Sequence, residues 1–292
     1  MRILAVALFL VVVPTAAGLQ TRVLVIGEDP SSVRMVSELI GFDSRFSVTL
    51  LCPGEGARPL DYFQEQLSCD PVDLANRYDA VILCYTSRSS LSDQVIDALR
   101  RAILAHGLGL VVDTGMLATH PGEVRSWDET NLSTILPVDL DSVRSAQALL
   151  GTEKYTVKPA ASGALAKLLY ALSLKGDTRY LAAGVVREGA YLWAMTYPSH
   201  LPWLVSWEIG RCDRTGKPSE VWCFMDSFNA SVWRSDPGSS SVLKQALLSC
   251  ADTKIVTEPI LTGMACSVIV RVVVALAGWT RKSQSASRSH RP

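Results

Sequence analysis

Two apolar segments separated by one helix decide the fold: DAVILCY at residues 79–85 and GLVVDTG at residues 109–115. Each contains an unbroken apolar run, which is typical of a strand buried on both faces of a parallel sheet. Between them, apolar residues recur at helical spacing from Val95 to Leu104, and Gly107 is suited to end that helix. The sequence therefore predicts a strand–helix–strand unit.

The same pattern extends towards the N-terminus. TRVLVI at residues 21–26 is another apolar run, and Asp29-Pro30 after it combines a capping acceptor with proline at the first helical position. A further strand is predicted from Phe46 to Cys52. Four such strands joined by helices predict a doubly wound, mostly parallel α/β sheet with helices on both faces. We assign this fold to a domain spanning residues 19–253.

The second half of this domain carries weaker signals. Helices are predicted at Ala161–Ser173 and Val242–Cys250, and strands at Tyr180–Val186, Tyr191–Tyr197 and Val221–Met225. Glu188-Gly189, between the first two of these strands, predicts a tight hairpin.

Both ends of the chain are hydrophobic. The run from Leu4 to Val13, followed by small residues, predicts a signal peptide over residues 1–18, with an uncleaved anchor as the alternative. Ile260–Trp279 is long enough to cross a bilayer and predicts a transmembrane segment within residues 256–280, with a basic, disordered tail over 281–292. The alternative for Ser267–Val274 is a buried strand. The favoured interpretation is an exported protein of the secretory pathway or cell envelope, with a single membrane span and its main domain outside the cytoplasm.

Charge and cysteine content restrict the function classes. The chain has 28 basic and 28 acidic side chains, which argues against a nucleic-acid partner. The seven cysteines contain no CxxC pair and no zinc-finger spacing, and we predict neither a metal site nor a cofactor. Cys212 and Cys223 flank a predicted turn, so an oxidising compartment would favour a disulfide between them.

The first half resembles the class I glutamine-amidotransferase-like superfamily, and more narrowly its glutamine-amidotransferase and trehalose-utilisation-type members. The segments that carry the resemblance are YDAVIL at 78–83, LSDQ at 91–94, GLGLVV at 107–112 and ILPV at 135–138. It covers residues 21–140 well and residues 180–250 loosely. The resemblance implies a flavodoxin-like sheet.

The sequence departs from this family at its catalytic position. Members of the family hold a nucleophilic cysteine in the turn after the strand that ends here at Val112, whereas this chain has Asp113-Thr114. Glutamine hydrolysis needs a thiolate, so the resemblance implies a pseudoenzyme that serves as a ligand-binding or interaction module. The alternative is an extracytoplasmic carbohydrate-active enzyme of the trehalose-utilisation type that uses carboxylates at the strand ends. The sequence leaves open whether the chain is an enzyme.

Candidate site residues follow from the predicted sheet, because doubly wound sheets bind ligands beyond the carboxyl ends of their strands. If the chain is an enzyme, Asp113 and Glu28 form its catalytic carboxylate pair. The ligand-binding candidates are Arg88, Thr114 and Asp29. The simpler interpretation of Asp29 is a helix cap, and that of Glu28 and Arg88 is a solvated loop charge.

The remaining candidates concern partners. Five tryptophans of the second half either pack in the core or form a sugar-stacking surface: Trp193, Trp203, Trp207, Trp222 and Trp233. Asn131 and Asn229 begin glycosylation sequons. The predicted partners are a small molecule or carbohydrate, together with a membrane.

Overall fold

One sheet flanked by helices makes up the part of the chain that the computed structural model describes, which is residues 20–113, 127–140, 153–177, 181 and 184–252. These residues belong to one compact unit. The strands are β1 (Thr21–Ile26), β2 (Phe46–Leu51), β3 (Ala80–Leu83), β4 (Gly109–Val112), β5 (Lys154–Pro159), β6 (Lys175–Asp177), β7 (Tyr191–Tyr197), β8 (Pro202–Ile209) and β9 (Ser219–Phe224). The α-helices are α1 (Pro30–Ile40), α2 (Pro59–Gln66), α3 (Pro71–Arg77), α4 (Asp93–His106), α5 (Ala164–Ala171) and α6 (Ser239–Asp252).

The first half of the sheet is parallel. Strands β2, β1, β3 and β4 lie side by side in that order, and β9 continues the parallel pairing beside β4. The residues of β3 and β4 are fully buried, as expected for strands covered on both faces. The prediction that four apolar segments form parallel neighbours is confirmed.

The second half of the sheet is antiparallel, and this corrects the predicted fold class. From β9 the order continues β8, β7, β5 and β6, and each of these strands is antiparallel to its neighbour. The sheet is therefore mixed, and the prediction of a mostly parallel, doubly wound sheet is wrong. The prediction rested on the four apolar strands before residue 113, and their parallel pairing does not extend beyond β9 into the rest of the domain.

Helix ends follow their sequence signals. Asp29 caps α1, Ser92 caps α4, and Gly107 ends α4 in a left-handed conformation with φ of 73°. Helix α6 contacts α1, β4 and β9, and it crosses β4 so closely that a Cβ atom at Gly109 would collide with Cys250. The close approach explains why glycine begins β4.

Sequence signals in the second half were only partly correct. β7, β9, α5 and α6 confirm four of its predicted elements. The described residues of the predicted strand Tyr180–Val186 contribute only isolated bridges, Leu181 with Asp226 and Val186 with Val138, so the expected tight hairpin with β7 is absent from this region. β5 and β6 were not predicted, and β8 was predicted only as the strand that the turn between Cys212 and Cys223 implies.

Within the described residues, no helix is both long and apolar enough to cross a bilayer. The predicted signal peptide (1–18), transmembrane segment (256–280) and basic tail (281–292) lie outside the part of the chain that the structure describes.

Candidate functional site

Asp113 lies at the end of β4, as predicted, but it is fully buried. Its Oδ1 accepts a hydrogen bond from the Tyr85 amide at 3.1 Å, and its Oδ2 accepts one from the Phe228 amide at 3.0 Å. These two bonds join the ends of β3 and β9 to the end of β4. Both carboxylate oxygens are thus committed to the backbone, and Asp113 acts as a structural link between strand ends.

The predicted carboxylate pair is not brought together. Strand β3 lies between β1 and β4, which places the ends carrying Glu28 and Asp113 roughly 10 Å apart. The Glu28 carboxylate accepts a hydrogen bond from the Ser87 amide. Glu28 therefore braces the loop after β3, whereas Asp113 holds the opposite side of that loop.

Arg88 is not a solvated loop charge, because only 5% of it is exposed. Its guanidinium donates to the Leu91 carbonyl oxygen at 2.7 Å and pairs with Asp93 in the first turn of α4. These bonds direct the guanidinium towards the start of α4.

Asp29 confirms the simpler of its two interpretations, the helix cap. Its side chain accepts hydrogen bonds from the backbone amides and hydroxyls of Ser31 and Ser32. Partial burial opposes ionisation, but these hydrogen bonds prevail and lower the pKa of Asp29. Thr114, the other predicted ligand-binding residue, lies outside the described residues.

The thiols of Cys52 and Cys84, which directly follow β2 and β3, do not resemble activated nucleophiles. Burial raises the pKa of Cys84 well above its usual value, and Asp113 raises it further. The pKa of Cys52 is also raised, first by burial and then by Asp29 and Glu28. A catalytic thiol needs the opposite environment, one that stabilises the thiolate.

The sulfur atoms of Cys212 and Cys223 are not joined in a disulfide. The register of the β8–β9 hairpin pairs Ile209 with Ser219, so Cys223 lies four residues into β9 whereas Cys212 lies in the turn. Four residues of strand span roughly 13 Å, which is well beyond the Cα separation that a disulfide tolerates. The predicted turn between two strands is correct, but the predicted disulfide does not fit its register.

The predicted glycosylation sequons begin at exposed residues. The side chain of Asn229 donates a hydrogen bond to the Ser31 hydroxyl at 2.9 Å and so connects the loop after β9 to α1. Asn131 starts a short 3-10 helix.

The tryptophans divide between the two interpretations that the sequence left open. Trp203 and Trp233 are buried and pack with Phe224 in an aromatic cluster, as core packing requires. Trp193, which is partly buried, lines a cavity of about 600 Å³, and Trp222 also lines it although Trp222 is buried in the core. This volume lies in the range of small-molecule sites.

This cavity, which we call the cleft, lies over the antiparallel half of the sheet. Its floor is formed by alternate residues of three adjacent strands, and its walls come from α5, α6 and the loop before β7. The lining residues are Ala164, Leu165, Gly189, Tyr191, Trp193, Ser206, Glu208, Glu220, Trp222, Gln245 and Ser249.

Three aromatic rings form one side of the cleft. The rings of Trp193 and Trp222 are stacked, with centroids 5.8 Å apart and an angle of 19° between their planes. The ring centroids of Tyr191 and Trp193 are 4.5 Å apart, and the planes of the two rings are tilted relative to each other. The Nε1–H group of Trp193 donates to the hydroxyl of Ser206 at 2.9 Å, which fixes the orientation of the ring.

Glu220 is the polar centre of the cleft. Its Oε2 accepts a hydrogen bond from Nε1–H of Trp222 at 2.7 Å, and its Oε1 accepts one from the Ser249 hydroxyl at 2.9 Å. Burial raises the pKa of Glu220, and Glu208 and Asp252 raise it further, against the lowering effect of these two hydrogen bonds. The arrangement can hold a polar ligand between a flat aromatic surface and an oriented carboxylate.

Sequence reasoning missed the cleft as a site, although a signal exists. Each of the three floor strands carries a two-residue repeat on one face: Tyr191 and Trp193, Ser206 and Glu208, Glu220 and Trp222. Side chains two residues apart in a strand lie on the same face. Aromatic and acidic residues in such pairs on successive strands indicate a lined surface.

Comparisons with known proteins identify similar folds but no family. No protein-family model matches the sequence, and no curated protein is significantly similar to it. Cytoplasmic Protein STM3548 from Salmonella typhimurium is structurally similar, with a TM-score of 0.55 and 12% identity over 79% of this chain and 98% of its own. Cytoplasmic Protein STM1381 from Salmonella typhimurium LT2 has a TM-score of 0.52 and 13% identity over 81% of this chain and 99% of its own.

These comparisons also correct the predicted location and the function that depended on it. Both structural neighbours are named as cytoplasmic proteins, and the described residues contain no helix that can span a membrane. The findings contradict an exported, membrane-anchored module, as well as an extracytoplasmic carbohydrate-active enzyme. We withdraw both, together with the predicted placement in the secretory pathway or cell envelope.

Proposed function

We propose that this protein binds a small polar molecule in the cleft over the antiparallel half of its sheet. The observation that carries the proposal is the Glu220 carboxylate, oriented by Trp222 and Ser249 beside stacked indole rings in a cavity of ligand size. Ligand sites commonly combine a mostly apolar lining with a few oriented polar groups.

The same proposal places the chain in the glutamine-amidotransferase-like superfamily without its glutaminase chemistry. The parallel order β2-β1-β3-β4 supports the placement, as do the family-like segments on β3 and β4. Asp113 occupies the position after β4 where that family holds its nucleophile. The raised pKa values of Cys52 and Cys84 give neither thiol the character needed to replace it.

Binding can be followed through the tryptophans themselves, because Trp193 and Trp222 line the cleft. A panel of small amines, sugars and polyols is titrated against the full chain while its indole fluorescence is recorded. We expect at least one compound to give a saturable change in the indole fluorescence. Trp193→Ala should weaken the binding of that compound about tenfold, because it removes the stacking surface.

The matched control is Tyr170→Ala, which removes an exposed aromatic ring from α5, a helix that also lines the cleft. This variant should bind as the unaltered chain does, and circular dichroism should show both variants folded. Saturable binding that survives Trp193→Ala undiminished would refute the proposed site, as would a panel in which no compound binds.

A further inference from the structure

The cleft holds two carboxylates that face each other. Glu208 of β8 and Glu220 of β9 are register partners in the antiparallel hairpin, and both side chains line the cleft. Like charges directly opposite each other across a strand pair destabilise a sheet. A positive charge between the two carboxylates would be attracted to both and would offset their mutual repulsion.

The groups that the structure provides around Glu220 do not supply that charge. Its two hydrogen-bond donors, the indole of Trp222 and the hydroxyl of Ser249, are neutral. Neither glutamate forms an ion pair with a lysine or arginine of the described chain, and none of the described lining residues is basic. The charged neighbours that raise the pKa of Glu220, Glu208 and Asp252, are both acidic, and the nearby Lys217 pairs with Asp252.

The aromatic side of the cleft favours the same kind of ligand. The faces of indole and phenol rings carry negative electrostatic potential, and cations bind against them, most strongly against tryptophan. Trp193 and Tyr191 stand two residues apart on β7, and Trp222 stands two residues from Glu220 on β9. Rings and carboxylates therefore share one surface.

We infer that the ligand of the cleft is a small organic cation, an alkylammonium or quaternary ammonium compound. Its charged group would lie between Glu208 and Glu220, with its carbon atoms against the indole of Trp193. An anion would be repelled by both glutamates, and a neutral sugar would leave them uncompensated. A bare metal ion is not favoured, because the described residues contain no group of three or more metal-ligating side chains.

This inference rests on the proposed binding function, and the experiment separates the two. Isothermal titration calorimetry of the full chain uses choline and n-butylamine as cationic probes, with 3,3-dimethylbutan-1-ol and butan-1-ol as uncharged analogues of similar shape. Glucose serves as a neutral polar probe. We expect at least one cation to bind at least about tenfold more tightly than its uncharged analogue.

The decisive variant is Glu220→Gln, which keeps the shape of the side chain and removes its charge. It should weaken binding of the cation about tenfold more than it weakens binding of the uncharged analogue. Glu65→Gln on α2 is the control, because it removes an exposed charge away from the cleft, and it should change neither affinity.

The outcomes are distinguishable. Equal affinity for a cation and its analogue, or a cation affinity that survives Glu220→Gln, would overturn the inference. If glucose alone binds and Trp193→Ala weakens that binding, the proposed binding function is supported and the inference of a cationic ligand is contradicted. If no probe binds, including the wider panel of amines and sugars, both fall.

Discussion

The strand ends of the parallel half and the cleft of the antiparallel half use polar side chains in opposite ways. At the strand ends, Asp113, Glu28 and Asp29 all accept hydrogen bonds from backbone amides and hold loops and a helix in place. In the cleft, Glu220 is oriented by two side chains towards a cavity of about 600 Å³. Polar residues at the first location maintain the fold, and those at the second are available to a ligand.

This difference shows that the position of a residue in a fold is a weaker guide to function than the partners of its side chain. Parallel sheets bring their strand ends together at one edge, which makes that edge the usual place to expect a ligand. A buried carboxylate there must still be compensated by hydrogen bonds. Where backbone amides supply them, as they do for Asp113, the carboxylate serves the structure.

The largest expected effect tests this view of the parallel half. Asp113→Ala leaves the amides of Tyr85 and Phe228 without the acceptor they use at the end of β4. We expect it to lower the free energy of unfolding by about 4 kcal/mol, because two hydrogen bonds to a buried carboxylate are lost. Chemical denaturation measures the loss, and Asp61→Ala on the exposed side of α2 should change little. An Asp113→Ala variant as stable as the unaltered chain would mean that Asp113 is held for function after all.

A second effect arises where the two halves meet, at Asp226, two residues after the end of β9. Burial raises the pKa of Asp226 to about 7, and Asp113 contributes, against the lowering effect of hydrogen bonds from Tyr155 and Ser227. Because the folded state then binds a proton that the unfolded state has released, stability falls as pH rises from about 4 through 7. Asp226→Asn should remove this component.

The measurement compares the pH dependence of unfolding for the two chains. Between pH 5 and pH 7 the unaltered chain should lose about 2 kcal/mol more than Asp226→Asn does. Titrating groups that do not interact with Asp226 contribute equally to both chains and cancel in the difference. Parallel stability curves would show that Asp226 titrates in its ordinary acidic range.

The two halves also differ in how far the sequence predicts them. β1, β3 and β4 are buried nearly throughout, so each carries an apolar run that is visible without knowledge of its neighbours, whereas β2 at the edge of the sheet is partly exposed. In the antiparallel half one face is lined by polar and charged residues. β8, for example, begins with Pro202 and contains Ser206 and Glu208, so only the short apolar run Trp203–Val205 marks it.

The cleft was harder to predict than its strands. Trp193, Ser206 and Trp222 become neighbours only through the pairing of β7 with β8 and of β8 with β9. Each strand alone shows no more than two side chains on a common face, which core packing explains equally well. The candidate residues at the strand ends were correctly located, but their roles depended on hydrogen bonds to residues far away in the sequence, such as Asp113 to Phe228.

The smallest effect sharpens the account of the cleft. Ser249→Ala removes one of the two donors to Glu220 without changing the charge of the site. We expect a loss of about 1 kcal/mol in stability, because Glu220 is only partly buried and water replaces part of the bond. The pKa of Glu220 should rise further, since the Ser249 hydroxyl stabilises the ionised carboxylate, and an NMR titration of the side-chain carboxyl can measure that shift.

Gln245→Ala, one helical turn earlier on α6 and also facing the cleft, is the matched control, because Gln245 is not among the groups that shift this pKa. If neither Ser249→Ala nor Gln245→Ala changes the titration of Glu220, then Glu220 is solvated by water rather than oriented by α6. The carboxylates at the strand ends and the carboxylate in the cleft would then no longer differ in the way described above.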